Sequence, residues 1–308
     1  LFKVTFLQFF LICGKIYITK RVVDLERKVH LISYIVVTIT VILCYSIYIG
    51  FDTNTLSENT NSVARISYDE IISEEAKLID SQVEYYQDYY NVTINLIDDI
   101  KLTDSNYDID LVNNNYTITT ALDYLGDYFR VFNKEFFNRF YENDMNGLNI
   151  YLASNIDSTT NFGNNAEIVG LFYKQDNKYI IVIDATSEES LAKIAFHETM
   201  HAIEEYLRIN NVYFRDWNSL NPYNFNYSNT LSTDLYSDVM GNNSNRNEIY
   251  FLDNYARSSA SEDRARIFEF ICLGNDFSRF PRLYEKANYL KEVIFKYFPE
   301  LSYSKYIG

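Results

Sequence analysis

The chain has 308 residues, 47% of them hydrophobic, which is enough for one large domain or two small ones with a sizeable core. Six of the 27 basic and two of the 42 acidic residues precede residue 51, so residues 51–308 hold 21 basic and 40 acidic residues and a formal charge of −19. This balance excludes a nucleic-acid-binding role, because binding to phosphates requires the opposite charge.

The N-terminal part of the chain contains an uncharged run. Residues 31–50, LISYIVVTITVILCYSIYIG, carry no charge, and about twenty apolar residues span a bilayer as a helix. Basic residues precede the run and acidic ones follow it, which favours a cytoplasmic N-terminus. We predict a cytoplasmic segment at 1–28, a single-pass anchor in the cell membrane at 29–50, a polar linker at 51–66 and an extracellular remainder. A cleaved signal peptide and a buried helix are the alternatives.

The first half of the remainder is predicted to be mainly helical. Apolar residues at helical spacing predict a helix over about 68–91, and a turn-rich segment follows near 92–118. A stronger pattern, with apolar residues every three or four positions, predicts a helix over about 119–143.

The second half begins with strands and ends with helices. Residues 147–156 alternate like a strand, and residues 166–186 give two apolar runs around Gln175-Asp176-Asn177, which is typical of a β-hairpin. A helix is predicted to begin after 186–190, and residues 211–248 resemble a loop. Two further helices are predicted, at 260–274 and 281–297.

The helix that is predicted to begin after 186–190 carries the motif His197-Glu198-Thr199-Met200-His201. Residues four apart project from the same face of a helix, so two imidazoles there can bind one zinc ion at about 2.0–2.1 Å. Glu198 would lie beside the open coordination position, where a carboxylate can take a proton from a metal-activated water. The alternative is a surface helix with two unliganded histidines.

A third ligand must come from elsewhere in the chain. The third histidine, His30, precedes the uncharged run at 31–50, so the remaining ligand must be a carboxylate, as in the gluzincin class of zinc peptidases. Glu262 stands at the start of a predicted helix and is the candidate. Ser259 to Glu262 also fits a capping box, in which the glutamate only satisfies a backbone N–H, and the spacing alone does not separate these interpretations.

Two segments, HETMHAIEEY and YARSSASEDRARIFEF, resemble the catalytic domain of anthrax-type lethal factor and the related Pro-Pro endopeptidases. In that family a helix with H-E-x-x-H-A is followed by a tyrosine and, seven residues later, a glutamate. Tyr255, Glu262 and Ala265 match this second motif. The resemblance covers residues 119–297 in outline and is sharp only in these two motifs.

The resemblance implies that His197, His201 and Glu262 bind one Zn²⁺, with Glu198 as the general base. Tyr255 would donate a hydrogen bond to the oxyanion, although a lone tyrosine would otherwise be interpreted as a packing residue. The resemblance also implies a zincin-like α+β fold with a small mixed or antiparallel sheet over the active-site helix. The outer strand of the hairpin would pair with the backbone of a protein or peptide substrate.

One position departs from the family pattern. Four residues after the glutamate ligand the family usually has an acidic residue that supports a zinc-binding histidine, whereas this chain has Arg266. A cation beside zinc is unfavourable unless its side chain turns away, and histidine ligands depend on such supporting partners. Glu269 and Asp263 are the candidates to replace the missing carboxylate.

The sequence therefore predicts a membrane-anchored, extracellular bacterial zinc metalloendopeptidase whose catalytic domain is residues 67–308. The first alternative is a catalytically inactive zincin-like surface protein that binds protein or peptidoglycan, and Arg266 is the feature that favours it. The second is a surface structural or adhesion protein with a fortuitous H-E-x-x-H motif.

Overall fold

The computed structural model describes residues 68–96, 106–158, 168–187, 189–228 and 245–308. The helices are α1 (Tyr68–Tyr90), α2 (Asn115–Phe129), α3 (Lys134–Asn138), α4 (Leu191–Ile209), α5 (Ala260–Cys272) and α6 (Pro281–Tyr297). The strands are β1 (Thr93–Asn95), β2 (Tyr107–Leu111), β3 (Leu148–Ser158), β4 (Gly170–Gln175) and β5 (Lys178–Asp184). Short 3-10 turns lie at Arg139–Tyr141, Trp217–Leu220, Arg246–Glu248, Tyr255–Arg257 and Pro299–Tyr303.

The five strands form one mixed sheet in the order β1-β3-β5-β4, with β2 also paired to β3. β1, β3 and β5 run parallel, whereas β2 and β4 are antiparallel to their neighbours. The predicted hairpin is confirmed: β4 and β5 are joined by Asp176 and Asn177, both in the left-handed region at φ 52° and 59°. Two such residues make the tight turn that matches the twist of paired strands.

The two faces of the sheet differ because side chains alternate along each strand. On one face Ile150, Leu152, Ile181 and Ile183 join the main core, which also contains the buried faces of the helices. A smaller apolar cluster covers the other face, and it contains Tyr151, Ala153, Ile156, Ile180 and Val182. α4 lies against β4 and β5 on the main-core face, with α2 and α5 beside it. The predicted α+β class, with a small sheet lying over the motif-bearing helix, is confirmed.

The prediction of a single helix over 119–143 is wrong. α2 begins earlier and ends at Phe129, and a separate short helix, α3, begins at Lys134. The break follows from Asn133, whose backbone is extended and whose side chain accepts a hydrogen bond from Phe136 N, which caps a new helix. Phe132 and Phe136, on the two sides of the break, stack at 4.4 Å between ring centroids. The apolar spacing was therefore a correct indication of burial and a wrong one of helix continuity.

The segment near 92–118, predicted as turns, contains two strands. β1 pairs with the start of β3 and β2 with its end, so both depend on a partner about 50 residues away in the chain. Three-residue β1 and half-exposed β2 carry little alternation of their own. The helices predicted at 68–91, 260–274 and 281–297 and the strand predicted at 147–156 are confirmed within a few residues.

The predicted cytoplasmic segment, anchor and linker, residues 1–66, lie outside the described residues. Among the residues that are described, no helix combines the length and apolar character needed to cross a bilayer.

Candidate metal centre

α4 presents its two motif histidines on a different side from its core-facing stripe. Phe196, Met200 and Ile203 are almost completely buried in the main core. Their spacing of four and three residues keeps them on one face, so His197 and His201 share another. The helix is tied to α2 in its middle, where Thr199 Oγ1 donates to Ala195 O at 2.7 Å and accepts a hydrogen bond from Tyr128 Oη at 2.9 Å.

α5 brings Glu262 to the same point from another part of the chain. Ser259 caps the helix, since its Oγ accepts a hydrogen bond from Glu262 N at 3.1 Å. The Glu262 carboxylate accepts a hydrogen bond from His197 Nε2 at 2.9 Å. Glu262 therefore lies at a capped helix start, as its sequence context indicates, and its side chain faces the histidines.

The three side chains leave a geometry that suits a metal ion. Nε2 of His197, Nε2 of His201 and one carboxylate oxygen of Glu262 form a triangle with sides of 2.9, 3.3 and 3.5 Å. A tetrahedral zinc ion with bonds of about 2.0–2.1 Å holds its ligand atoms about 3.3–3.4 Å apart. Two imidazole nitrogens and a carboxylate oxygen are also ligands that zinc prefers. The donor set fits zinc in spacing and in chemistry.

The charges of the three groups are strongly coupled. Burial disfavours the charged form of His197, but its hydrogen bonds to Glu262 and Glu269 outweigh burial and raise its pKa to about 10. Burial also works against the charge of Glu262, yet its hydrogen bonds to both histidines hold the pKa of this carboxyl well below its usual range. A zinc ion entering the site would therefore compete with protons.

Glu269 lies behind His197 and provides a carboxylate beside this histidine, although Arg266 occupies the position where the acidic residue was expected. Oε2 of Glu269 lies 3.5 Å from Nδ1 of His197, on the side of the ring away from Glu262. Arg266 donates hydrogen bonds to Glu269 and to Asp253, the latter from Nε at 2.9 Å. The supporting carboxylate thus stands one helical turn later than the family pattern places it. The cation is neutralised by two carboxylates.

Asp263, the other candidate, faces a different part of the molecule. Its side chain is fully buried and accepts hydrogen bonds from Lys286 at 2.6 Å, Tyr227 at 2.8 Å and Trp217 at 3.1 Å. These contacts join α5 to α6 and to the segment after α4. Asp263 fixes the position of α5 and does not support a histidine.

Glu198 is buried beside the histidines and under the first residue of β4. Burial is the largest influence on its pKa and raises it, and the two histidines partly offset this effect. A Cβ added at Gly170 would lie 2.7 Å from Glu198 Oε1 and 2.5 Å from Ile194 Cγ2. Gly170 therefore leaves the space that the Glu198 carboxylate occupies. Sequence reasoning missed this glycine, because its spatial neighbours cannot be read from its place in a strand.

Tyr255 stands at the edge of the same site. It begins the 3-10 turn Tyr255–Arg257, is partly buried, and its ring centroid lies 5.8 Å from that of His197. The turn is fixed by Asp253, which accepts a hydrogen bond from Ala256 N at 2.9 Å and forms an ion pair with Arg266. The structure thus brings together all five residues singled out from the sequence: His197, Glu198, His201, Tyr255 and Glu262.

Comparison with known proteins gives one distant likeness. No protein-family model matches the chain, and no curated protein matches it. Among solved structures, the chain is similar to one from Bacteroides caccae ATCC 43185 named a "putative zinc-binding metallo-peptidase", with 14% sequence identity and a TM-score of 0.38. The match covers 75% of this chain and 92% of that chain. A likeness at this level carries no argument, and the resemblance to the lethal factor family stays a prediction from the two motifs.

Proposed function

We propose that residues 67–308 form the catalytic domain of a zinc metalloendopeptidase. The observation that carries this proposal is the convergence of two imidazole nitrogens and a carboxylate oxygen, from residues up to 65 positions apart, at the spacing of a tetrahedral zinc site. His197, His201 and Glu262 would hold one Zn²⁺. The buried Glu198 carboxylate beside them supplies the base that peptide hydrolysis needs.

The roles of the chain's own residues follow from their positions. When bound, Zn²⁺ supplies a Lewis acid that polarises the scissile carbonyl and acidifies water. Glu198 accepts the proton of the attacking water and returns it to the leaving amine. The hydroxyl of Tyr255 donates a hydrogen bond to the carbonyl oxygen as negative charge develops on it.

The substrate would lie along the outer edge of β4. Among the described strands, β4 pairs with β5 alone, and its first residue lies directly over Glu198. An extended peptide can add to such an edge through backbone hydrogen bonds, which bind without regard to sequence.

Metal analysis of the purified full chain tests the zinc site. We expect about one zinc per chain in the wild type and in Glu198→Gln, and strongly reduced zinc in His197→Ala and Glu262→Ala. His30→Ala and Glu292→Ala serve as matched controls, since His30 belongs to the predicted anchor segment and Glu292 is exposed on α6. Zinc content that is unaffected by His197→Ala would favour a fortuitous motif on a surface structural or adhesion protein.

A mass-spectrometric cleavage screen with a diverse peptide library tests the hydrolase activity. We expect cleavage by the zinc-loaded wild type, and its loss in Glu198→Gln with zinc retained, because the variant lacks only the base. A protein that binds one zinc and cleaves no peptide would support the inactive surface-binding protein. Arg266, the feature that favours that alternative, has its charge paired with Glu269 and Asp253.

We also propose that residues 29–50 anchor the protein in the cell membrane with the catalytic domain outside. The uncharged run at 31–50 and the charges on its two sides support this proposal. The protein should remain in the membrane fraction after an alkaline wash, and protease added to intact cells should remove the catalytic domain. Recovery of the full chain in the soluble fraction would refute the anchor and leave the zinc site untouched.

A further inference from the structure

His201 has a hydrogen-bonding partner on its far side that the two sequence motifs do not indicate. Nδ1 of His201 lies 3.1 Å from Oγ of Ser261, the residue before Glu262. The Ser261 hydroxyl in turn donates to Oε2 of Glu204 at 2.7 Å. Glu204 follows His201 by three residues on α4, so it lies on the same side of that helix.

The direction of these hydrogen bonds places a proton on Nδ1 of the histidine. An ionised carboxylate only accepts hydrogen bonds, so the single proton of the Ser261 hydroxyl is directed to Glu204. The serine oxygen then faces Nδ1 of His201 with a lone pair, and Nδ1 must carry the proton. A neutral His201 held in this way has its free lone pair on Nε2, the atom that lies 3.3 Å from His197 Nε2.

Arg264 holds the end of this chain of hydrogen bonds. Its Nε donates to Glu204 Oε1 at 2.5 Å and its Nη2 to Glu204 Oε2 at 3.2 Å, a two-point contact that orients the carboxylate. The guanidinium lies over the rings of Phe214 at 4.7 Å and Trp217 at 5.5 Å, both in the segment that follows α4. Glu204 is therefore fixed by a side chain that is itself packed.

We infer that Ser261 and Glu204 are positioning residues that hold His201 with Nδ1 protonated and Nε2 turned to the metal. The inference rests on the proposed zinc site and extends it by naming its second supporting carboxylate. Each histidine then has its own: Glu269 lies next to the ring of His197, and Glu204 acts on His201 through Ser261. Such partners typically change metal affinity by about 10–100-fold when they are removed.

Zinc affinity of the full chain, measured by competition with a chromogenic chelator, is the first test. Ser261→Ala should weaken zinc binding about 10–100-fold, and Ser261→Thr, which keeps the hydroxyl, should restore most of it. Glu204→Gln should also weaken binding. Its matched control is Glu205→Gln, because Glu205 is the next residue of α4 and pairs with Lys174 and Arg208 away from the site.

The second test is an NMR measurement that a merely structural role would not move. The chain has three histidines, so selective ¹⁵N-histidine labelling gives three ring systems to assign. We expect a slowly exchanging Nδ1 proton on His201 in the wild type and in Ser261→Thr, and rapid exchange of this proton in Ser261→Ala. Thermal unfolding of each variant separates these effects from a general loss of structure.

The outcomes are decisive in both directions. Wild-type zinc affinity and a protected Nδ1 proton in Ser261→Ala would overturn the inference, as would equal weakening by Glu204→Gln and Glu205→Gln. A wild type that binds no zinc would refute the proposed function. The hydrogen-bond chain would then be judged by the NMR signal alone, which supports it if Ser261→Ala loses the protected proton and overturns it otherwise.

Discussion

Replacing Lys286 by methionine tests how α5, the helix that carries Glu262, is held in place. The side chains of Lys286 and Asp263 are both completely buried, and Nζ of Lys286 donates to Asp263 at 2.6 Å and to Tyr250 O at 2.8 Å. The ammonium also lies 4.0 Å from the ring centroid of Phe251. Methionine is similar in length and removes the charge, so Asp263 stays buried without its cation.

The magnitude follows from the cost of the buried charge. Burial raises the pKa of Asp263 and lowers the pKa of Lys286 despite their mutual attraction, so desolvation outweighs the attraction within the pair. Removing one partner of such a pair typically costs about 3–5 kcal/mol of unfolding free energy. For a domain of this size about 1 kcal/mol shifts Tm by about 2–4 °C, so we expect Lys286→Met to lower Tm by about 6–20 °C.

Differential scanning calorimetry of the full chain and a double-mutant cycle provide the measurement. Lys286→Met combined with Asp263→Asn should recover much of the lost stability, because no uncompensated charge remains buried. Lys296→Met, at an exposed position of the same helix, should stay within about 0.5 kcal/mol of wild type. If Lys286→Met lowered Tm no more than Lys296→Met does, or if the double variant were as unstable as the two losses added together, the reasoning would be refuted.

Three further outcomes are expected. Gly170→Ala places a Cβ 2.7 Å from Glu198 Oε1. Because misplacing a reacting group by about 1 Å can cost about 100-fold in rate, peptide cleavage should fall about 100-fold while the zinc content stays unchanged. The control, Gly126→Ala in α2, should stay active. Zinc uptake at pH 8 should release protons, since the pKa of His197 is about 10 before the metal binds. Calorimetric titration in buffers of different ionisation enthalpy measures this proton release. Binding heats that do not depend on the buffer would contradict the prediction. Tyr128→Phe should cost about 1 kcal/mol in urea unfolding, because Thr199 keeps its bond to Ala195 O and loses one neutral hydrogen bond; a loss above about 3 kcal/mol would contradict this account.

The pH dependence of the metal-free protein has a defined sign. The pKa of His197 lies above its unfolded value, so its contribution to stability is complete below about pH 6.5 and is lost as the pH rises towards 10. The pKa of Glu262 is lowered, so its contribution is present above its unfolded pKa and is lost as the pH falls. Zinc should remove most of the alkaline loss, since it replaces the proton on His197.

Features that depend on near neighbours in the chain could be predicted from the sequence. The turn at Asp176 and Asn177 follows from the preference of such residues for the left-handed region, and the hairpin follows from the turn. The shared face of His197 and His201 follows from 3.6 residues per helical turn. The break after Phe129 could not be predicted in the same way, because apolar spacing records burial and not which backbone path buries the side chain.

The sequence by itself determined that this protein carries a paired-histidine helix, a hairpin before it and a carboxylate candidate after it, because these depend on contacts of a few residues. Only the tertiary structure decided that Glu262 faces the histidines from a capped helix start, that Arg266 turns to Glu269 and Asp253, and that Ser261 and Glu204 support His201. The last of these contacts join residues 57 and 60 positions apart. Spacing in a sequence does not specify which distant side chains meet, since that depends on how helices pack.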